Sequence, residues 1–182
     1  MVNIYKSELT LLQQEILRLL FIKAGNPLNQ RRISQILQVS QPAVQKSLPR
    51  LEEQRLIKMM QDKDSKRWAI ELDRDNKTVV YLKRADNFKQ IIETGLEDYL
   101  HEKLPGTTII LFGSYSNGED TINSDIDIAV IGGSSKNLDL SKFEKMLERK
   151  IVVNYYKSFK DINKHLLNNM LNGIVLKGAV EI

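Results

Sequence analysis

Residues 107–131 read Thr107-Thr108-Ile109-Ile110-Leu111-Phe112-Gly113-Ser114-Tyr115-Ser116-Asn117-Gly118-Glu119-Asp120-Thr121-Ile122-Asn123-Ser124-Asp125-Ile126-Asp127-Ile128-Ala129-Val130-Ile131. The apolar run Thr107–Phe112 has the length and β-branched character of a buried strand. Gly113-Ser114 then makes a sharp exit into a short helix. Glycine at that point permits unusual backbone angles and close approach of a ligand. Ser114 is expected to cap the helix, whose free N–H groups would suit a phosphate. A second strand is expected to begin at Asp125. Asp125 and Asp127 are two apart, so both carboxylates point to one face, while Ile126, Ile128 and Val130 point to the other. Like charges so placed repel. A hard divalent cation with oxygen ligands removes that penalty. A phosphate cradle beside a dicarboxylate pair is what Mg²⁺-nucleotide chemistry requires.

The rest of the chain bounds the class. Its 182 residues allow one domain or two small ones. Hydrophobic residues make up 42% and charged residues 27%, an ordinary globular balance that excludes wholesale disorder. With no cysteine, disulfide scaffolds, thiolate metal sites and cysteine catalysis are excluded. The two histidines, His101 and His165, are too far apart in sequence to suggest a histidine metal site. No apolar run approaches the ~18–20 residues needed to span a bilayer, and the N-terminus lacks an apolar signal segment. A cytoplasmic protein without membrane contact is the expectation. The formal charge of +4 is unevenly divided. Residues 1–84 hold 16 Lys+Arg against 9 Asp+Glu, and residues 85–182 hold 11 against 14. A basic half joined to a mildly acidic one points to a polyanion-binding module attached to a domain with different work, although solvated helix faces give the same arithmetic.

The basic half has a recognisable order of elements. A first helix is expected over Ser7–Ala24, with Ser7 as N-cap, ended by Gly25-Asn26-Pro27. A second, Gln30–Gln38, carries Ile33, Ile36 and Leu37 on one face. Ser40 caps a third, Gln41–Gln54, with Pro42 in its first turn and Val44, Leu48 and Leu51 as the buried stripe. Pro49 should kink or divide that helix. Lys58–Gln61, the polar turn 62–67 and Trp68–Leu72 read as strand, turn and strand, a β-hairpin wing with Trp68 as a core anchor beneath it. The stretch resembles the winged helix-turn-helix regulators. That resemblance implies duplex DNA as partner and a homodimer reading paired half-sites. The exposed face of the third helix offers Gln41, Gln45, Lys46 and Arg50 to base edges. Lys63, Lys66 and Arg67 on the wing would take the phosphate backbone. Winged helices also serve as protein-binding modules, and that alternative stays open.

Between the halves, Asp73–Asn76 is turn-rich. Thr78–Arg84 is short and half apolar, and Ala85–Lys103 reads as one amphipathic helix weakened by Gly95. Its apolar face could pack on either domain or on a second subunit. The organisation expected is therefore α+β: a winged helix-turn-helix over 1–75, a helical connector over 76–104, and a small mixed-sheet domain over 105–182.

Gly113-Ser114, ten residues, then Asp125-Ile126-Asp127, with Gly118 and Ser124 between, resembles the minimal nucleotidyltransferases of the polymerase beta and kanamycin nucleotidyltransferase superfamily. The resemblance covers about residues 105–178. It implies Asp125 and Asp127 as catalytic Mg²⁺ ligands. It also implies Gly113, Ser114 and Ser124 as the nucleotide-binding residues, and transfer of a nucleotidyl group, such as AMP from ATP, to a hydroxyl acceptor. A protein acceptor or partner toxin would be a separate chain, since no Arg-x(4–6)-His toxin motif is present here. The sequence departs from the family at one point. The strand Ile151–Tyr156 holds no third carboxylate, only Asn154, while Glu148 precedes it and Asp161 follows it. Two readings remain: a nucleotidyltransferase with a DNA-binding arm, or a DNA-binding regulator whose nucleotidyltransferase domain senses nucleotide or dimerises.

Overall fold

The computed structural model describes residues 8–61 and 67–181. The chain divides into two compact units, Met1–Val79 and Val80–Ile182.

The first unit opens with α1 (Leu11–Ile22). Its N-cap is Thr10: the Thr10 hydroxyl accepts from Gln13 N, and the Gln13 side chain accepts from Thr10 N. This reciprocal pair satisfies two donors that the first turn leaves open. The helix therefore starts later than the Ser7 cap predicted, and Ser7 itself lies outside the described residues. Helix α2 (Gln30–Leu37) starts on the Asn29 side chain, which accepts from Arg32 N. Helix α3 (Gln41–Glu53) starts on Ser40, as the sequence suggests. Pro49 does not divide α3, which runs unbroken past it. The proline is exposed and near the C-terminal end, so its ring meets solvent and few hydrogen bonds follow it.

Strands β1 (Ile57–Gln61) and β2 (Trp68–Leu72) pair antiparallel, Ile57 opposite Leu72 and Gln61 opposite Trp68. Leu28 adds a bridge to the other edge of β2 through two hydrogen bonds with Ile70, of 2.9 and 2.7 Å. Three helices and a hairpin around Ile16, Leu20, Ile33, Val44, Leu48, Leu51, Ile57 and Ile70, all buried, make a winged helix. Trp68 is not the core anchor expected: it is 39% exposed. Strand alternation puts it on the face of the buried Ile70 and Leu72. It nevertheless lies at the distal end of the hairpin, where that core no longer covers the face.

Residues 77–103, which begin at the end of the first unit and continue into the second, form two helices rather than a short segment and one helix. Helix α4 (Lys77–Glu93) absorbs the Thr78–Arg84 stretch, and the chain breaks at Thr94-Gly95 before α5 (Leu96–Lys103). Four strands follow: β3 (Thr108–Phe112), β4 (Ile126–Ile131), β5 (Ile151–Tyr156) and β6 (Ile174–Lys177). Their order is β5-β4-β3-β6, parallel between β4 and β5 and antiparallel elsewhere. Helix α7 (Ser141–Leu147) connects the parallel pair.

One face of this sheet, with Ile109, Leu111, Ile126, Ile128 and Val130, packs against Ile91, Leu96, Leu100, Phe143 and Leu147. The apolar stripe of α5 is thus spent on the C-terminal sheet. The other face, with Ile110, Phe112, Ala129 and Ile131, packs against Phe159, Ile162 and Met170, the last on α8 (Lys164–Leu171). No helix among the described residues is long and apolar enough to cross a membrane.

Candidate nucleotide site

The site forms where β3 ends and β4 begins. Phe112, the last residue of β3, pairs with Asp127 on β4. Gly113 follows at φ +75° and opens the single-turn helix α6 (Gly113–Asn117). A Cβ at Gly113 would lie 2.5 Å from Asp127 Oδ2. Both the backbone angle and the closeness of the carboxylate demand glycine here. The N-cap of α6 is Phe112, not Ser114, so the helix begins two residues earlier than the Gly-Ser pair suggests. Ser114 falls in the first turn, half-buried. Ser116 Oγ donates to Gly113 O at 2.9 Å and stiffens that turn.

Asp125 and Asp127 flank the buried Ile126, as alternation requires. Asp125 is exposed and Asp127 half-buried. Burial raises the Asp127 carboxyl above its ordinary range, and the Asp125 charge adds to the shift. The pair therefore carries an electrostatic cost that no cation within the described protein relieves. Ser124 Oγ accepts from Thr121 N at 3.0 Å, closing the turn that delivers Asp125. An open cleft of about 640 Å³ adjoins Ser124 and Asp125 and is lined also by Glu144, Lys145, Glu148 and Lys150.

The parallel register sets Val152 beside Asp127 and Asn154 beside Ala129. The β5 position next to the carboxylate is thus an aliphatic side chain, 37% exposed, with an amide one step further on the same face. No group of three or more His, Cys, Asp or Glu poised for a metal occurs among the described residues. Asp161 is occupied elsewhere, accepting from Ser158 N at 3.1 Å in its own turn. Glu144 accepts from Ile151 N at 3.0 Å.

Sequence reading missed the support beneath the site. Asp120 is 1% exposed and accepts from Lys83 Nζ, from Asn87 Nδ2 at 2.7 Å and from Arg149 Nη2 at 3.4 Å. Asn87 Nδ2 also lies 2.8 Å from Tyr115 O. Lys83 and Asn87 come from α4, Tyr115 from α6, and Arg149 from the residue pair before β5. One buried network thus ties the Gly-Ser helix to the loop that leads into the aspartates. Burial lowers the Lys83 amine, and Asp120 opposes that shift. Gly118 packs on the backbone of α4, where a Cβ would overlap Val80 O. A charged residue inside the Gly-Ser to Asp-x-Asp spacing was the one available signal. Its partners lie 29 to 37 residues away, beyond any local pattern.

In the winged helix, Gln41, Gln45, Lys46 and Arg50 are all exposed on α3. Arg50 Nη2 lies 3.5 Å from Glu8 Oε2. Arg67 is exposed just before β2, at the turn end of the hairpin, and lines one groove with Gln41. Lys63 and Lys66 lie outside the described residues.

Residues 94–177 match the model of the nucleotidyltransferase domain family. Among solved structures, the chain is similar to a ZitR mutant of Lactococcus lactis at 24% identity, over 58% of this chain and 68% of that one, with a TM-score of 0.42. It is similar to the MepR–DNA complex of Staphylococcus aureus at 26% identity, over 53% and 77%, with a TM-score of 0.40. Superpositions this loose bear on no functional point. No protein with a curated description matches the sequence.

Proposed function

We propose that this protein binds Mg²⁺–nucleoside triphosphate, ATP foremost, at Gly113, Ser114, Ser124, Asp125 and Asp127, transfers its nucleotidyl group to a hydroxyl acceptor, and uses the winged helix to engage duplex DNA. The observation that carries the reading is the approach of Gly113 to the raised carboxyl of Asp127, with Asp125 one strand step before it. A peptide backbone without side chain meets the Asp127 carboxylate there, so a phosphate on the glycine turn would share a cation with Asp127 and, through it, with Asp125. The donors suit Mg²⁺, which prefers few carboxylates and completes its shell with phosphate oxygens and water. When bound, the ion would neutralise the triphosphate and polarise the bond to be broken. Asp125 and Asp127 would hold it, and the first turn of α6 would orient the phosphates.

Val152 beside Asp127 favours a second reading. With no carboxylate there to take the acceptor proton, the domain binds nucleotide without turnover and acts as the sensor or dimerisation piece of a DNA-binding regulator.

Incubation with Mg²⁺ and α-labelled ATP, with and without host lysate, separates the two. Label on an acceptor, lost in Asp125→Asn, makes the protein a transferase. Calorimetric ATP binding without label makes it a sensor. Absence of both sinks the site.

A further inference from the structure

We infer that Asn87 is a positioning residue for the nucleotide. Through the backbone carbonyl of Tyr115 it fixes the turn of Gly113 and Ser114, and through Asp120 it fixes the loop that brings in the aspartates. The inference rests on the proposal that this turn and the aspartates bind Mg²⁺–nucleoside triphosphate, and it assigns a role to a buried residue outside that site.

Helix α6 cannot hold its own shape. It has five residues and no side-chain cap at its N-terminus. Two backbone hydrogen bonds close its C-terminal end, Gly118 N to Tyr115 O at 3.3 Å and Glu119 N to Ser114 O at 2.9 Å. A helix this short is not stable alone, because nucleation fixes several residues for one hydrogen bond. Its geometry must come from groups outside it.

Asn87 is such a group. It lies on α4, is 2% exposed, and uses both polar atoms of its side chain. Nδ2 donates to Tyr115 O at 2.8 Å and to Asp120 Oδ1 at 2.7 Å. Oδ1 accepts from Lys83 Nζ at 3.4 Å. The backbone carbonyl of Asn87 accepts from the Tyr115 hydroxyl at 3.4 Å. A flipped amide would set its oxygen against a carbonyl and a carboxylate, so one orientation is fixed. The stretch from Tyr115 to Asp120 is thus clamped at both ends by one side chain.

The two ends differ in what they lose without it. Lys83 and Arg149 also meet Asp120, so its charge stays balanced when the amide is gone. Tyr115 O keeps the 3.3 Å bond from Gly118 N and loses the shorter one. The damage should therefore fall on the turn rather than on the whole fold. A binding turn works only when its support holds it to a fraction of an ångström.

The test uses the full chain and compares wild type with Asn87→Leu, which is near in volume, and with Met170→Ala as a stability control. Met170 is buried with Phe159 and Ile162 on the opposite face of the sheet. All measurements are made well below the melting temperature of each variant. Affinity for Mg²⁺-ATP by calorimetry should fall about tenfold in Asn87→Leu, the worth of one hydrogen bond, and stay at the wild-type value in Met170→Ala. Amide exchange followed by NMR is the second measurement and needs no nucleotide. The Gly118 and Glu119 amides, which close α6, should be accelerated in Asn87→Leu by more than the amides of β3 and β4. If the leucine variant does not fold, Asn87→Ala removes the same amide without the bulk and carries the same expectation.

Affinity and exchange in the Asn87 variant that match wild type, or that track Met170→Ala, would overturn the inference and leave the nucleotide site intact. Weakened affinity without faster exchange at Gly118 and Glu119 would overturn it too, because the turn would not be the part that moved. If neither Asn87 variant folds, the residue holds the core rather than the turn, and the inference fails. If wild type binds no Mg²⁺-ATP, the site itself fails and the role of Asn87 falls with it.

Discussion

Asp120 and Asp127 belong to the same segment, between α6 and the middle of β4, and the fold treats them oppositely. Asp120 is sealed inside and meets a lysine, an arginine and an asparagine. Asp127 is half-buried, meets the bare backbone of Gly113 and another carboxylate, and is raised in consequence. A buried charge is tolerable only when paired and hydrogen-bonded. Asp120 obeys that rule with groups of this chain. On the proposed function, the Asp125–Asp127 pair would obey it only with a cation from outside. The difference would then separate an acid that holds the architecture from acids that take a ligand.

The comparison breaks most easily at Asp120. Asp120→Ala strands Lys83 and Arg149 without their counter-ion in a dry interior. It should cost about 3–5 kcal/mol in chemical denaturation. A loss below about 1 kcal/mol would mean the network is incidental. Gly113→Ala comes next. An alanine must adopt φ +75° and bring its methyl onto Asp127 Oδ2. Strain of about 1–3 kcal/mol is expected, together with loss of Mg²⁺-ATP binding by calorimetry. Wild-type affinity in that variant would show that the glycine is a turn residue only.

How far these features could be read from sequence follows from their range. The Gly-Ser turn, the aspartate alternation and the strand around each are local, and their residue types dictate backbone geometry directly. The winged helix was legible for a similar reason: caps such as Ser40 and stripes such as Val44, Leu48 and Leu51 repeat at helical period. What escaped depended on distant partners. Lys83 reads as one more charge at the end of a short, half-apolar segment, yet it is 2% exposed because Asp120 waits for it across the fold. Trp68 reads from sequence as a core anchor beneath the wing, but the core ends before it. The single helix expected over 85–103 failed at Gly95, where tertiary packing of Ile91 and Leu96 rewards a change of direction.

The aspartate pair can be sharpened by Asp127→Asn. The folded state binds the Asp127 proton more tightly than the unfolded chain, so ionising it opposes folding. In chelator, wild-type stability should fall as pH rises from the ordinary aspartate value through the raised one, and Asp127→Asn should lack that component. At neutral pH the variant should then match or exceed wild type, by up to about 1 kcal/mol, while losing all stabilisation by Mg²⁺-ATP in thermal melts. A variant less stable than wild type without metal would place Asp127 with Asp120, among the acids the fold depends on.

Val152→Asp is the subtlest change and the most telling. It sets a carboxylate on β5 directly beside Asp127 in the parallel register. Val152 is partly exposed, so little packing is lost, and the added repulsion should cost only about 0.2–1 kcal/mol without metal. With Mg²⁺ present the sign should reverse, because three oxygen donors hold a hard cation better than two. If the native domain binds nucleotide without transferring it, the new carboxylate supplies an acceptor for the hydroxyl proton, and label transfer from α-labelled ATP should rise above wild type. If wild type already transfers and Val152→Asp adds nothing, the acceptor proton leaves by another route. The adjoining cleft, with Glu144 and Glu148 in its wall, is then where that route should be sought.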